Sequence, residues 1–270
     1  MCKLPNESLY WSEDVFGYPF IKSLMTRARY QQIKRVINVA MPTPEQNAAD
    51  KLAKVRPFLD LVNAKCKQLY IPKENLGLDE SQILCCSRSA RCSHRGTKTK
   101  KPLKNYINVY AIHEAFTGYC CTFKIDERKA NEKDSVKKVL VEMTSKLPPR
   151  PYKIAVDRHY NSVDNAKLLL NKNKYLYGTL RTDRGLPKDL AARAKTELKE
   201  RGDWVWDMAP PSLFVTIWKD IIDTVFLSTF HTPTSSTVER RIRGQASAVV
   251  TCPQVAKDYN KHMGACDQCN

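Results

Sequence analysis

The chain has no long hydrophobic run. Its longest apolar stretches, 220–230 and 137–143, are short and broken by charge. Neither approaches the roughly 20 apolar residues that a membrane-crossing helix needs, so no membrane role is expected. The first ten residues lack the apolar core of a secretory leader, so secretion is not expected. Their abrupt entry into structured-looking sequence suggests a fragment. No internal repeat shows at any period, so a repeat array is not expected. With no leader, the ten cysteines read as free thiols in a reducing compartment rather than as disulfides. Acidic residues are scarce: 28 Asp and Glu stand against 45 Lys and Arg, a formal net charge of +17. Such an excess favours a polyanionic partner, because bound phosphates release counterions. The 270 residues are 42% hydrophobic, enough to bury the core of one large or two modest domains.

Apolar periodicity predicts helices over 18–39 and 56–70, joined by a polar loop at 41–50. The pattern then changes. Segments 75–84, 107–113 and 119–125 read as strands, with Thr117-Gly118 as the turn between the last two. A helix over 135–147 ends at Pro148-Pro149. A compact apolar strand over 152–156 delivers Asp157, followed by a helix over 163–170 and a strand over 175–180. This order predicts an α/β fold, a mixed sheet with helices packed on it. After Gly185-Leu186-Pro187 come a helix over 188–199 and strands over 204–208, 213–218 and 224–229, which read as a β-rich insertion. The stretch 234–252 is polar, basic and without a readable period, and 254–262 reads as helix.

Three acidic residues stand where an exposed tip can face a ligand: Asp79 within the first strand, Asp157 at a strand end, and Asp267 after the last helix. Two-metal phosphoryl transfer uses such a set. Mg²⁺ prefers oxygen ligands, and carboxylates supply both oxygen and compensating charge. By residue type alone, each could equally be a strand or turn cap, and no short spacing rule links the three.

Several runs, in order along nearly the whole chain, resemble piggyBac-type DDE transposases. They are Tyr10-Trp11-Ser12 with Phe16-Gly17 and Met25-Thr26-Arg27; Lys54-Val55-Arg56-Pro57 with Glu74-Asn75-Leu76 and Asp79-Glu80-Ser81; Tyr177-Gly178-Thr179-Leu180-Arg181 with Gly185-Leu186-Pro187-Lys188; Trp218-Lys219-Asp220 with Leu227-Ser228-Thr229; and Asp258-Tyr259-Asn260-Lys261-His262-Met263-Gly264. The resemblance implies a ribonuclease-H-like core. It places Asp79, Asp157 and Asp267 as catalytic ligands of two Mg²⁺ (or Mn²⁺) ions. It implies DNA cleavage and strand transfer on double-stranded DNA, at transposon ends and TTAA targets, by a homodimer in the nucleus. Departures stand at Arg158, where the family has Asn, at Cys85-Cys86-Ser87-Arg88, at Ala265 and Cys266, and at Asn270, where a further Asp is usual. The family also continues past the third Asp, so an incomplete, inactive chain is the expectation that competes. In that alternative the protein is a domesticated, non-catalytic DNA-binding protein.

On this reading, residues 1–74 form a helical region belonging to a dimerisation and DNA-binding domain. Residues 75–187 form the catalytic core, 188–250 a β-rich insertion, and 251–270 the end of the core with the third Asp. Arg88, Arg91, Arg95, Lys98, Lys100, Lys101 and Lys104, with no acid among them, form a run suited to DNA phosphates; a solvated loop or an import signal accounts for it as well. Arg240, Arg241 and Arg243 form a second cluster, near DNA by resemblance or on a surface loop. Cys85, Cys86, Cys92 and His94, with Cys266 and Cys269, fit no standard zinc spacing. His159 reads as a satisfied or exposed histidine rather than a base. Trp204, Trp206 and Trp218 read as core rather than as base-stacking platforms.

Overall fold

The computed structural model describes residues 4–37, 39–84, 94–95, 105–127, 136–240 and 247–265. The chain divides into two units, Met1–Leu59 and Asp60–Asn270.

The first unit is helical. The periodic stretch 18–39 forms two helices rather than one: α1 (Pro19–Leu24) and α2 (Arg27–Val36). Met25 is extended between them, and Thr26 starts α2 by accepting the Arg29 amide at 3.2 Å. The break is sealed from outside, because the Trp11 indole donates to the Met25 carbonyl at 2.9 Å. The loop expected at 41–50 contains a short helix, α3 (Pro44–Ala49). Its prolines signalled a break, but Pro44 sits in the first turn, where a proline costs no hydrogen bond. Thr43 and Gln46 close a reciprocal capping box there. Then α4 (Arg56–Leu69) begins, with Arg56 gripping Asp50 through two nitrogens at 2.7 and 2.8 Å.

The second unit is built on a nine-stranded sheet. Its first strands are β1 (Asn75–Leu84), β2 (His94–Arg95), β3 (Asn105–Glu114) and β4 (Cys120–Ile125). Helix α5 (Val136–Ser145), strand β5 (Tyr152–Val156), helix α6 (Val163–Leu170) and strand β6 (Lys174–Thr179) follow. Next come α7 (Lys188–Glu197), β7 (Trp204–Ala209), β8 (Leu213–Lys219) and β9 (Asp223–Ser228). A hairpin of β10 (Ser235–Arg240) and β11 (Ala248–Pro253) forms a second, two-stranded sheet and leads into α8 (Gln254–His262). This hairpin occupies the stretch without a readable period.

Strand β3 pairs antiparallel with both β4 and β1, β1 runs parallel to β5, and β5 parallel to β6. The resulting order β4-β3-β1-β5-β6 is that of a ribonuclease-H-like fold. The three strands of the expected β-rich insertion join the central sheet. β9 pairs antiparallel with β6 through Tyr177–Ser228, Gly178–Leu227 and Thr179–Phe226, and β8 and β7 extend the central sheet outward from it.

Strand alternation divides the interior in two. On one face Leu76, Leu78, Ile154, Val156 and Leu176 meet Leu140, Met143, Leu169 and Leu190 of α5, α6 and α7. On the other, Ala155, Tyr177, Phe214 and Trp218 meet Cys252 of β11 and Val255 and Ala256 of α8. Each fully buried aliphatic here contributes about 1.5–3 kcal/mol. Trp218 is buried and donates to the Thr251 carbonyl at 2.8 Å, and Trp204 packs against the same cluster. Trp206 departs from the core expectation and is exposed: it shares Trp204's face by alternation but lies opposite Thr216, two residues further along the edge strand β7.

Candidate active site

The site starts from strand register. Leu78 lies opposite Val156 in the parallel pair β1–β5, and each is followed by an aspartate, Asp79 and Asp157. Adjacent strands lie about 4.8 Å apart, and residues of equal register in a parallel pair share a face. Leu78 and Val156 turn to the α5–α7 core, so by alternation both aspartates turn to the α8 face. Seventy-seven residues of sequence lie between the two acids, yet the fold sets them immediately after the paired residues of neighbouring strands.

Each carboxylate is locally fixed. Asp79 Oδ1 accepts the Glu80 amide at 2.8 Å, and Asp157 Oδ1 accepts the His159 amide at 2.8 Å. The Asp157 carbonyl accepts the amides of Tyr160 and Asn161 at 3.2 and 3.1 Å, closing a tight turn. Buried Asn161 pins that turn to the sheet by donating to the Gly178 carbonyl at 2.9 Å. Asn165 donates to the Tyr160 carbonyl at 2.8 Å, and Ser162 caps α6 by accepting the Asn165 amide. Both aspartates are half-buried.

Helix α8 provides the opposite wall. The ring of Tyr259 lies over Gly178 and edge-on to Phe226 at 5.7 Å. A Cβ at Gly178 would lie 3.2 Å from Tyr259 Cε2 and 1.8 Å from the Val156 oxygen, and φ there is +152°. The position needs glycine because β5, β6 and α8 meet too closely for a side chain. Burial above all pushes the Tyr259 phenol above its ordinary range, with a hydrogen bond to Thr179 opposing. The carboxylates of Asp157 and Asp79 push it the same way, and Arg158 opposes. The phenol therefore lies in the field of both acids.

The helix itself is anchored by a buried chain of polar groups. Ser228 Oγ lies 2.7 Å from His231 Nδ1, and His231 Nε2 lies 3.0 Å from Asp258 Oδ2. The Tyr177 hydroxyl lies 2.7 Å from His262 Nδ1. At the end of α8 a 3-10 turn, Met263–Ala265, packs against β1.

A second link binds the two acidic positions from the other face. The Tyr160 hydroxyl donates to Glu80 Oε1 at 2.9 Å, and His159 Nε2 stands 4.0 Å from the same oxygen. His159 is exposed. A cleft of about 690 Å³ opens beside Asp157, walled by Arg158, Thr179, Arg181, Ile222, Thr224 and Tyr259.

Asp267 lies outside the described residues, as do Arg88, Arg91, Lys98, Lys100, Lys101, Lys104, Arg241 and Arg243. Arg95 is described only as backbone, in β2, paired with Asn105. Arg240 donates to Asp220 Oδ2 at 2.9 Å and lies over the Trp218 ring, 5.3 Å from its centroid. Cys85, Cys86, Cys92, Cys266 and Cys269 lie outside the described residues, and His94 is described only as backbone. Among the described residues Cys66, Cys120, Cys121 and Cys252 are free thiols, and burial pushes Cys121 up to about 12.

Among the described residues no group of three His, Cys, Asp or Glu side chains gathers around a point. The Asp79–Asp157 pair nonetheless suits a divalent cation. Two half-buried carboxylates on one face repel each other, and a hard ion with a preference for oxygen offsets that repulsion. Sequence reasoning placed both acids but gave no role to Tyr259, Glu80 or Tyr160. The one available signal for Tyr259 was its helical spacing from Val255 and Ala256, which puts it on the buried side of α8.

A family model described as Transposase IS4 matches residues 1–270. PiggyBac transposable element-derived protein 3 of Homo sapiens is 23% identical over 280 residues, which cover 98% of this chain and 46% of that protein. The solved structure of a piggyBac transposase synaptic complex with hairpin DNA superposes with a TM-score of 0.75 at 20% identity, covering 92% of this chain and 50% of that one. This chain thus spans about half the length of either relative.

Proposed function

The chain belongs to the Transposase IS4 family and is a piggyBac-like transposase domain; on that footing we propose that it cleaves double-stranded DNA and transfers its strands with the help of divalent metal. The observation that carries the reading is that Asp79 and Asp157 directly follow the register pair Leu78–Val156 and that both act on the Tyr259 phenol. We assign Asp79, Asp157 and Asp267 as the ligands of two Mg²⁺ (or Mn²⁺) ions. Such ions, when bound, lower the pKa of the attacking water or 3′-hydroxyl and stabilise the leaving oxygen.

The chain's own residues hold this arrangement. Asn161 and the Asp157 turn fix one carboxylate, β1 fixes the other, and α8 covers both. Residues 75–187 and 251–270 form the catalytic part, 188–250 a β-rich insertion whose strands β7–β9 join its sheet, and 1–74 a helical region for dimerisation and DNA contact. Arg88, Arg91, Arg95, Lys98, Lys100, Lys101 and Lys104 are assigned to DNA phosphates, together with Arg240, Arg241 and Arg243. The +17 net charge supports that partner. The target is TTAA and the compartment the nucleus.

One observation favours a second reading, a domesticated DNA-binding protein without catalysis: Arg158 brings a cation to the cleft wall beside Asp157. Incubation of the protein with duplex DNA and Mg²⁺ or Mn²⁺ separates the two. Nicking and joining that vanish in Asp157→Ala support the enzyme. Salt-dependent binding with no strand breakage under either metal refutes it and leaves the second reading.

A further inference from the structure

The turn between β8 and β9 presents Ile221 and Ile222 to solvent at 81% and 76% exposure. Turns of this kind favour Gly, Asn, Asp and Ser, and two adjacent branched aliphatics at a tip run against that chemistry. The tip is also braced. Lys219 pairs with Asp223, leaving a three-residue turn 220–222. Asp220 at its base accepts from Arg201 Nε at 2.8 Å and from Arg240 Nε at 2.9 Å, one arginine on each carboxylate oxygen. Arg201 precedes β7 and Arg240 ends β10, so two separate elements hold the turn. Lys219 itself is bound on both sides, its carbonyl accepting the Gly202 amide and its amide donating to the Asp203 carbonyl.

The braced tip stands at the site. Ile222 walls the same cleft as Asp157, Arg158 and Tyr259. A duplex drawn to this strongly basic chain and seated over the acid pair would meet the two isoleucines at its edge. Aliphatic side chains placed there can enter between base pairs, unstack one step and kink the helix. Rigidity matters for such a role, because a mobile tip would lose conformational entropy on insertion.

We infer that Ile221 and Ile222 form an aliphatic wedge that unstacks a base step of duplex DNA beside the Asp79–Asp157 pair. The inference rests on the DNA reading above and adds the element that deforms the substrate.

The test uses the whole chain, with short duplexes carrying 2-aminopurine at a TA step, the kind that unstacks most easily. Emission reports unstacking, and fluorescence anisotropy on the same samples reports binding. Wild-type protein raises the emission. Ile221→Ser,Ile222→Ser returns it to the level of free duplex, while affinity moves by less than about threefold, since phosphate contacts dominate it. Val249→Ser, at another well-exposed aliphatic (69%) on β11 away from the cleft lining, keeps the wild-type emission. Emission unchanged between wild type and the double variant overturns the wedge, as does wild-type binding with no rise in emission; either result leaves DNA binding intact. Absence of wild-type binding to any duplex overturns both the wedge and the DNA reading.

Discussion

The hydroxyl of Tyr160 donates to Glu80 Oε1 at 2.9 Å and so ties the neighbour of the first aspartate to the loop that carries the second. Tyr160 is 1% exposed, and its backbone amide closes the turn on the Asp157 carbonyl. One side chain thereby links the middle of β1 to the turn after β5. Burial first, and the Glu80 carboxylate second, push the phenol far above its ordinary range, so it stays a donor.

Removing that hydroxyl leaves a partly buried carboxylate without its donor. Tyr160→Phe is expected to lower stability by about 2 kcal/mol, the usual scale for a hydrogen bond to a charged group. Urea unfolding measures it. A midpoint equal to wild type would mean that the link carries no strain between the strands.

Gly178→Ala tests the close approach of β5, β6 and α8. The added methyl would meet the Val156 carbonyl, a backbone atom that cannot rotate away, at a φ that side chains rarely adopt. The expected loss is about 3 kcal/mol or more, read as a large drop in thermal midpoint or as insoluble protein. An alanine variant with wild-type melting would show that the β5 and β6 backbones can shift apart there at no cost.

Stability is expected to fall on mild acidification. Burial holds His113 and His262 below their ordinary 6.5, so the unfolded chain binds more protons than the folded one as pH drops through that value. Stability from these groups is fully present above pH 6.5 and is lost progressively below it. Asp258 behaves differently. Burial would raise its carboxyl, but hydrogen bonds from His231 and Gln254 outweigh that and hold it below its ordinary 3.8. Its contribution therefore persists until far stronger acid. Thermal midpoints from about pH 8 to about pH 5 should decline below the histidine range, and His113→Gln with His262→Gln should flatten the decline. A flat wild-type profile would contradict the assignment.

Much of this was legible in the residues. The alternation of Leu76 and Leu78, and of Ile154 and Val156, fixed β1 and β5 and turned both acids to one face. What escaped depended on contacts between distant segments. The end of α1 is set by the Trp11 indole reaching the Met25 carbonyl, which no local periodicity contains. β10 and β11 are short and solvent-facing on one side, so only their pairing defines them. β7–β9 had the right pattern, but only the β6–β9 register shows that they lengthen the central sheet. Tyr259 entered the site because α8 folds back over residues some eighty positions earlier.

The parallel alignment of β1 with β5 has a genetic corollary. Because side chains alternate in direction, loss of one codon within 152–156 would send residue Asp157 through the sheet into the packed aliphatic layer, where no charge is tolerated. Variants that keep the length of this five-residue strand keep the acids together. Those that lose a single residue there discard the pairing at one stroke, even with every aspartate still encoded.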